Sequence, residues 1–303
     1  MSRSDPAYRC ADEARVRADP LAGTAPPTRR WLLLEHPGPW RIDAVAGAGI
    51  DPEVLTTLTR RAGSTTRILL VRRTGRIDRE TPRNWILAGL DMDTVTGPWR
   101  RDNDLLDAAD ALTGLSAPPA IGHPDPVILV CAHGIHDVCC ALRGRPVAAT
   151  LASRWPGLVW ECSHIGGDRF APNVVVLPDG FYYGNLDPDS ALVTVGAHLR
   201  GIVLPDQLRG MARFLPPVQA AVAAAYRRYG PLGPSDVTVG STEHIGPHHG
   251  HGSETIVELA IESQQRSLTV RMLSVRRPEA KLTCRAARET PATEYRIIDV
   301  KPR

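Results

Sequence analysis

No run of about 18 apolar residues occurs anywhere in the 303 residues, so the chain lacks the simplest form of membrane span. The opening segment, MSRSDPAYRCADEARVRADP, lacks the apolar core of a secretory signal, and a cytoplasmic location is the expectation. Charge of one sign is not in excess. Lys and Arg number 36 against 33 Asp and Glu, a formal +3 that is spread rather than blocked and gives nucleic-acid binding no support. Neither the bacterial nor the plant-type ferredoxin cysteine spacing is present, and no C-x-x-C occurs to mark a thioredoxin-type dithiol. What remains, at 43% hydrophobic and 23% charged residues, is the composition of an ordinary globular protein long enough for two or three domains.

Elements can be read in order. Arg30–Glu35 and Arg67–Arg73 have the short apolar texture of buried strands, and 84–91 reads as a further strand. A helix is predicted over 50–62, with Asp51 as N-cap and Pro52 at its first position, and another over 103–115. Residues 116–120, SAPPA, look like a linker. Beyond it, 126–130 predicts a strand that delivers Cys131 at its end, followed by a helix starting near Pro146. Strands over 157–162, 173–177 and 181–184 and a helix over 187–199 complete a second α/β unit, with Pro178-Asp179-Gly180 as a turn. Residues 206–214 and 218–229 read as helices, and 255–261, 267–275 and 294–300 as alternating strands. The expected divisions are 1–118, 119–203 and 204–303.

The chemistry is concentrated in two stretches, Cys131-Ala-His-Gly-Ile-His-Asp-Val-Cys-Cys140 and Glu161-Cys-Ser-His-Ile-Gly-Gly-Asp168. They hold four of the six cysteines and three of the ten histidines. Thiolates and imidazoles beside glycines suit a metal or an iron–sulfur cluster, because glycine lets the backbone approach the inorganic core. Residue types alone accept zinc as readily as iron–sulfur. Cys10 and Cys284 stand isolated and read as structural thiols. His133 and His136 read more readily as loop histidines bonded to backbone than as ligands. Four histidines between His244 and His251 form a second candidate metal tract, equally readable as a polar loop.

The strings CAHGIHDVCCALRGRPVA, VWECSHIGGDRFAPNVVVLPDG and FYYGNL resemble the sucrase/ferredoxin-like family, and WLLLEHPGPW, ILLVRRTGR and LTC at 282–284 fit it too. The resemblance implies an α/β fold of two thioredoxin-like ferredoxin units, the first degenerate, with a small β-rich C-terminal region. It also implies a [2Fe–2S] cluster in the second unit. Fungal members hold that cluster with two cysteines and two histidines. His164 fits that pattern, whereas Asp168 stands where the second histidine would be. The implied ligands are Cys131, Cys140, Cys162 and His164, with Cys139 and Asp168 as the alternatives.

The expected role is single-electron transfer between a redox partner, such as an NAD(P)H-dependent reductase, and an acceptor, with ferric chelates as one candidate. A carrier is expected rather than a stand-alone enzyme. Arg143, Arg145 and Arg169, close to the ligands in sequence, could stabilise the reduced cluster or dock an acidic partner. The rivals are a metal-free thiol oxidoreductase and a structural zinc protein. Nothing in the sequence identifies the paired carboxylates that a sucrase would need.

Overall fold

The computed structural model describes residues 8–75, 82–114, 121–122, 126–246 and 252–303. The expected linker at 116–120 and His248, His249 and His251 lie outside the described residues.

After a short helix α1 (Cys10–Val16), the chain builds one motif and then repeats it. The first copy comprises β1 (Arg30–Glu35), α2 (Pro52–Ala62), β2 (Thr66–Arg72), β3 (Arg83–Gly89), β4 (Met92–Trp99) and α3 (Leu105–Thr113). Its β1 runs parallel to β2 and antiparallel to β3, and β3 pairs antiparallel with β4. A two-residue strand, β5 (Ile121–Gly122), lies on the β4 edge. The second copy comprises β6 (Val127–Cys131), α4 (Val138–Arg154), β7 (Val159–Cys162), β8 (Val174–Leu177), β9 (Phe181–Tyr183) and α5 (Pro188–Leu199). It has the same strand order and the same directions. Both copies are thioredoxin-like, as the sequence led us to expect.

The copies share one ten-stranded sheet, ordered β10-β9-β8-β6-β7-β2-β1-β3-β4-β5, where β10 is Leu208–Met211. They meet edge to edge where β2 and β7 pair antiparallel, Val71 with Cys162 and Arg72 with Glu161. Period-2 alternation decides what each face receives. Leu32 and Leu34 of β1 face the core under α2 and α3, whereas Ile128 and Val130 of β6 face the core under α4, α5 and α6 (Pro216–Tyr229). Trp31, Leu33, Val127, Leu129 and Cys131 point to the opposite face, where α1 lies and both copies share one core. Burying each such aliphatic side chain contributes roughly 1.5–3 kcal/mol.

The C-terminal region is a four-stranded antiparallel meander, β11 (Val237–Ile245), β12 (Glu254–Ile261), β13 (Arg266–Ala280) and β14 (Thr290–Pro302). The alanine-rich α6 packs between it and the large sheet, its small side chains letting both sheets approach. The β-rich C-terminal region is therefore present. No described helix is long and apolar enough to cross a membrane.

Two local expectations are corrected. Residues 206–214 contain strand β10 rather than a helix, because Leu208 to Met211 find a partner in β9 and the Arg209 side chain turns into the core. Helix α4 starts at Val138 rather than near Pro146. Asp137 caps it by accepting the Cys139 N–H at 2.8 Å, and Pro146 sits inside the helix. An internal proline costs the helix a hydrogen bond, so local propensity gave way to tertiary packing there.

Candidate metal centre

The site forms where the C-terminal end of β6 meets the first turn of α4. Cys131 is the last residue of β6, and the turn from His133 to Asp137 reverses the chain into α4, which carries Cys139 and Cys140. Helix and strand come close because residue 144 is glycine. A Cβ there would overlap the Cys131 carbonyl oxygen. The second loop leaves β7 at Cys162 and runs through His164 to Gly166 and Gly167, both at positive φ, before a turn of 3₁₀ helix that begins at Asp168.

Donor atoms of Cys131, Cys140 and His164 all lie within 4.8 Å of one another, and those of His136, His164 and Asp168 do likewise. Cys140 Sγ donates to Asp168 Oδ1 at 3.2 Å, and His164 Nδ1 is 3.0 Å from the same oxygen. Cys131, Cys140 and Asp168 are buried, while the His136 side chain keeps 33% of its surface exposed. His136 stacks on His164 with centroids 3.8 Å apart, so imidazole edges lead from the buried sulfurs to solvent.

His133 does not join this group. Its Nδ1 accepts the His164 N–H at 3.3 Å, and its Nε2 lies 2.8 Å from the Arg41 carbonyl. Backbone groups occupy both ring nitrogens, and the residue is a strut. Cys162 is also outside the group. It is the register partner of Cys131 on the neighbouring strand, fully buried in the shared core. Cys139 faces away from Cys140, as consecutive helical residues must, and meets Cys10 and Cys284 instead.

The titratable groups of the site shift one another. The Cys140 thiol beside Cys131 holds the Cys131 thiol well below its usual range, although burial opposes this, and Cys131 in turn pushes Cys140 up. Burial works against a charged His164, but Asp168 and Cys131 outweigh it and raise the imidazole to about 9. Burial would raise Asp168, yet His164, Cys140 and His136 keep it below the ordinary carboxylate range. On the other side of the helix start, burial pushes Asp137 up to about 6.

Residues outside the two stretches fix the loops. Arg67 donates to the carbonyls of His164 at 2.8 Å and Ile165 at 3.2 Å. Arg209, fully buried and pulled down to about 10 by desolvation, donates to the Gly166 carbonyl and to Asn173 Oδ1, both at 2.9 Å, and to the Thr24 carbonyl. A Cβ on Gly167 would collide with its guanidinium. Sequence reading missed both arginines, since neither lies near the motif in the chain.

Two thioredoxin-like copies, one of them carrying a buried Cys/His/Asp donor group at its strand-to-helix turn, define a metal-capable protein of the thioredoxin-like class. The chain belongs to the sucrase/ferredoxin-like family, whose profile matches residues 21–210, more than half of its length. No curated protein and no solved structure matches it.

The donor set suits a metal ion. Cys131, Cys140, His164 and Asp168 bring two thiols, an imidazole and a carboxylate together from the β6–α4 connection and the loop after β7. The buried His164 Nδ1 lies 3.0 Å from Asp168 Oδ1 but outside hydrogen-bonding geometry, an orphaned polar atom that metal coordination would satisfy.

Proposed function

We propose that this protein is a ferredoxin-like electron carrier whose [2Fe–2S] cluster is held by Cys131, Cys140, His164 and Asp168. The observation that carries this reading is the convergence of the Cys131/Cys140 pair with the His164/Asp168 pair, linked by Cys140 Sγ to Asp168 Oδ1 at 3.2 Å. Asp168 takes the fourth place in preference to Cys162, because its carboxylate is 3.2 Å from Cys140 and Cys162 joins neither the thiol group nor the histidine group. The cluster, when bound, supplies one-electron redox chemistry, and the protein supplies burial, ligand charge and access.

His164 replaces a thiolate by a neutral ligand, which raises the reduction potential relative to an all-cysteine site. His136, stacked on His164 and partly exposed, gives electrons a short way to the surface. Around it Ile135, Val138 and Leu142 are exposed apolar side chains, flanked by exposed Arg41 and Arg145. An apolar centre with a basic rim suits transient docking of an acidic redox protein such as an NAD(P)H-dependent reductase. Ferric chelates are the acceptor class this reading favours.

Optical and electron paramagnetic resonance spectra of anaerobically purified protein, before and after dithionite, test the reading. The expected result is a brown protein that is silent when oxidised and gives an S = 1/2 signal when reduced. Asp168→His should retain the colour with a shifted spectrum, and Cys162→Ser should leave the spectrum unchanged. A protein that stays colourless after reconstitution with iron and sulfide removes the proposal.

A further inference from the structure

On the opposite side of the α4 start lies a second donor group. Cys139 Sγ is 3.4 Å from Cys284 Sγ, and Cys284 Sγ is 3.5 Å from Cys10 Sγ. The Asp137 carboxylate lies 3.5 and 3.6 Å from Cys10 Sγ through its two oxygens, and one donor atom from each of the four residues lies within 4.8 Å of all the others. Cys10, Asp137 and Cys139 are fully buried, and Cys284 is half-buried. Cys10 and Cys284 both fall outside residues 21–210, the stretch that the family profile matches.

We propose that Cys10, Asp137, Cys139 and Cys284 form a tetrahedral site for a single zinc ion, separate from the cluster site. Four donors around zinc at about 2.3 Å for sulfur place neighbouring sulfurs about 3.8 Å apart. The Cys139–Cys284 and Cys284–Cys10 pairs, at 3.4 and 3.5 Å, need to spread by only a few tenths of an ångström to reach that spacing. They stand well beyond the roughly 2.05 Å of a disulfide, and all three cysteines are free. Three thiols also cannot pair off among themselves, whereas a cation uses all of them.

The surroundings are arranged for thiolates. The Cys10 N–H points at Cys284 Sγ at 3.4 Å, and Asp137 is held by the N–H groups of Cys139 at 2.8 Å and Cys284 at 2.6 Å. Such amide donors orient metal ligands and offset their charge. On binding, the three thiols release their protons to solvent, and three thiolates with one carboxylate around a dication leave two negative charges. Arg15 and Arg169 lie within electrostatic reach of Cys139 and Cys10 respectively, and offset them. Four protein ligands and deep burial leave no open position, which marks the site as structural rather than catalytic.

The ion would fasten three remote segments, α1, the α4 start and the β13–β14 loop. Two of those segments already touch, since Tyr8 Oη donates to the Lys281 carbonyl at 2.6 Å. Because Cys139 and Cys140 are adjacent, the clasp also steadies the helix turn that presents Cys140 to the other site.

Metal analysis and native mass spectrometry of the full chain, alongside Cys284→Ser and Cys131→Ser, test this. About one zinc per chain is expected in the wild type and in Cys131→Ser, falling to below about a tenth in Cys284→Ser with any cluster colour retained. These counts read zinc directly, so they hold whether or not the other site carries a cluster. Alkylation of the wild-type protein adds a readout that needs no variant. The half-buried Cys284 should resist native alkylation until a strong chelator is added. Zinc lost with Cys131 instead of Cys284, iron in place of zinc at these residues, a disulfide among the three cysteines, or Cys284 alkylated equally with and without chelator would each overturn the assignment.

Discussion

The two thioredoxin-like copies begin their first helices in the same way and use that start differently. In the first copy Asp51 accepts the Glu53 and Val54 N–H groups and caps α2 at the surface. In the second, Asp137 caps α4 with one oxygen and takes the Cys284 N–H with the other, fully buried. The strand ends differ in kind as well. β1 ends at Glu35, which accepts the Asn84 N–H, whereas β6 ends at Cys131 in the donor group. A cap that only stabilises a helix in one copy is, in the other, part of a donor cluster.

The first copy is not idle, however. Its Arg67 holds the carbonyls of His164 and Ile165, its Arg41 carbonyl meets His133, and Trp40 packs edge-on against the His133 ring. With no cysteine of its own between β1 and α3, it acts as a mould for the loops of its neighbour.

Breaking the asymmetry most severely, Gly144→Ala should cost more than about 3 kcal/mol, because the new methyl meets backbone rather than a movable side chain. Chemical denaturation would measure this, and an unchanged midpoint would contradict the close approach of α4 to β6. Asp137→Ala should follow at about 2–4 kcal/mol, since it orphans the buried Cys139 N–H and the part-buried Cys284 N–H. Its hydrogen exchange should also quicken around residue 284, far away in sequence. Arg67→Met, a change in the first copy, should destabilise by about 1–3 kcal/mol and, if the proposed centre is loaded, hasten metal loss from the second copy in a chelator challenge. Equal rates in mutant and wild type would show that the first copy does not support the site. The smallest effect should be Asp51→Ala, about 1 kcal/mol of thermal stability with the metal centre untouched.

Much of this was legible in the chain. The Asp51-Pro52 start of α2 is a local signal, and the apolar runs at 30–35, 127–131 and 174–177 declare strands by themselves. Cys131 and Cys140 come together across a single turn, whereas His164 reaches them only through the pairing of β6 with β7, beyond the whole of α4. The start of α4 was misplaced because Pro146 imitates a first-turn proline, and the Asp137 cap that overrides it is confirmed only by its hydrogen bonds. Strand β10 was hidden because Arg209 breaks any alternation, and its burial depends on acceptors at Thr24, Gly166 and Asn173. The meeting of Cys10 and Cys284 could not be read locally, since they stand 274 positions apart. Asp179, which sequence reading left as a turn residue, pairs with the buried His198 at 2.9 Å.

The seam between β2 and β7 has a consequence for the kinship of the halves. It consists of two register pairs, reinforced by Arg72 bonded to Glu161 at 2.7 Å, Arg72 over Trp40 and Arg73 over Trp160. Antiparallel pairing of equivalent strands relates the copies by an approximate two-fold axis, so the molecule has the geometry of a dimer written as one polypeptide. Covalent linkage releases such a dimer from the need for identical partners. One side was then free to keep the reactive side chains while the other became their support. Severed at the seam, either half would present a bare strand edge and seek a companion.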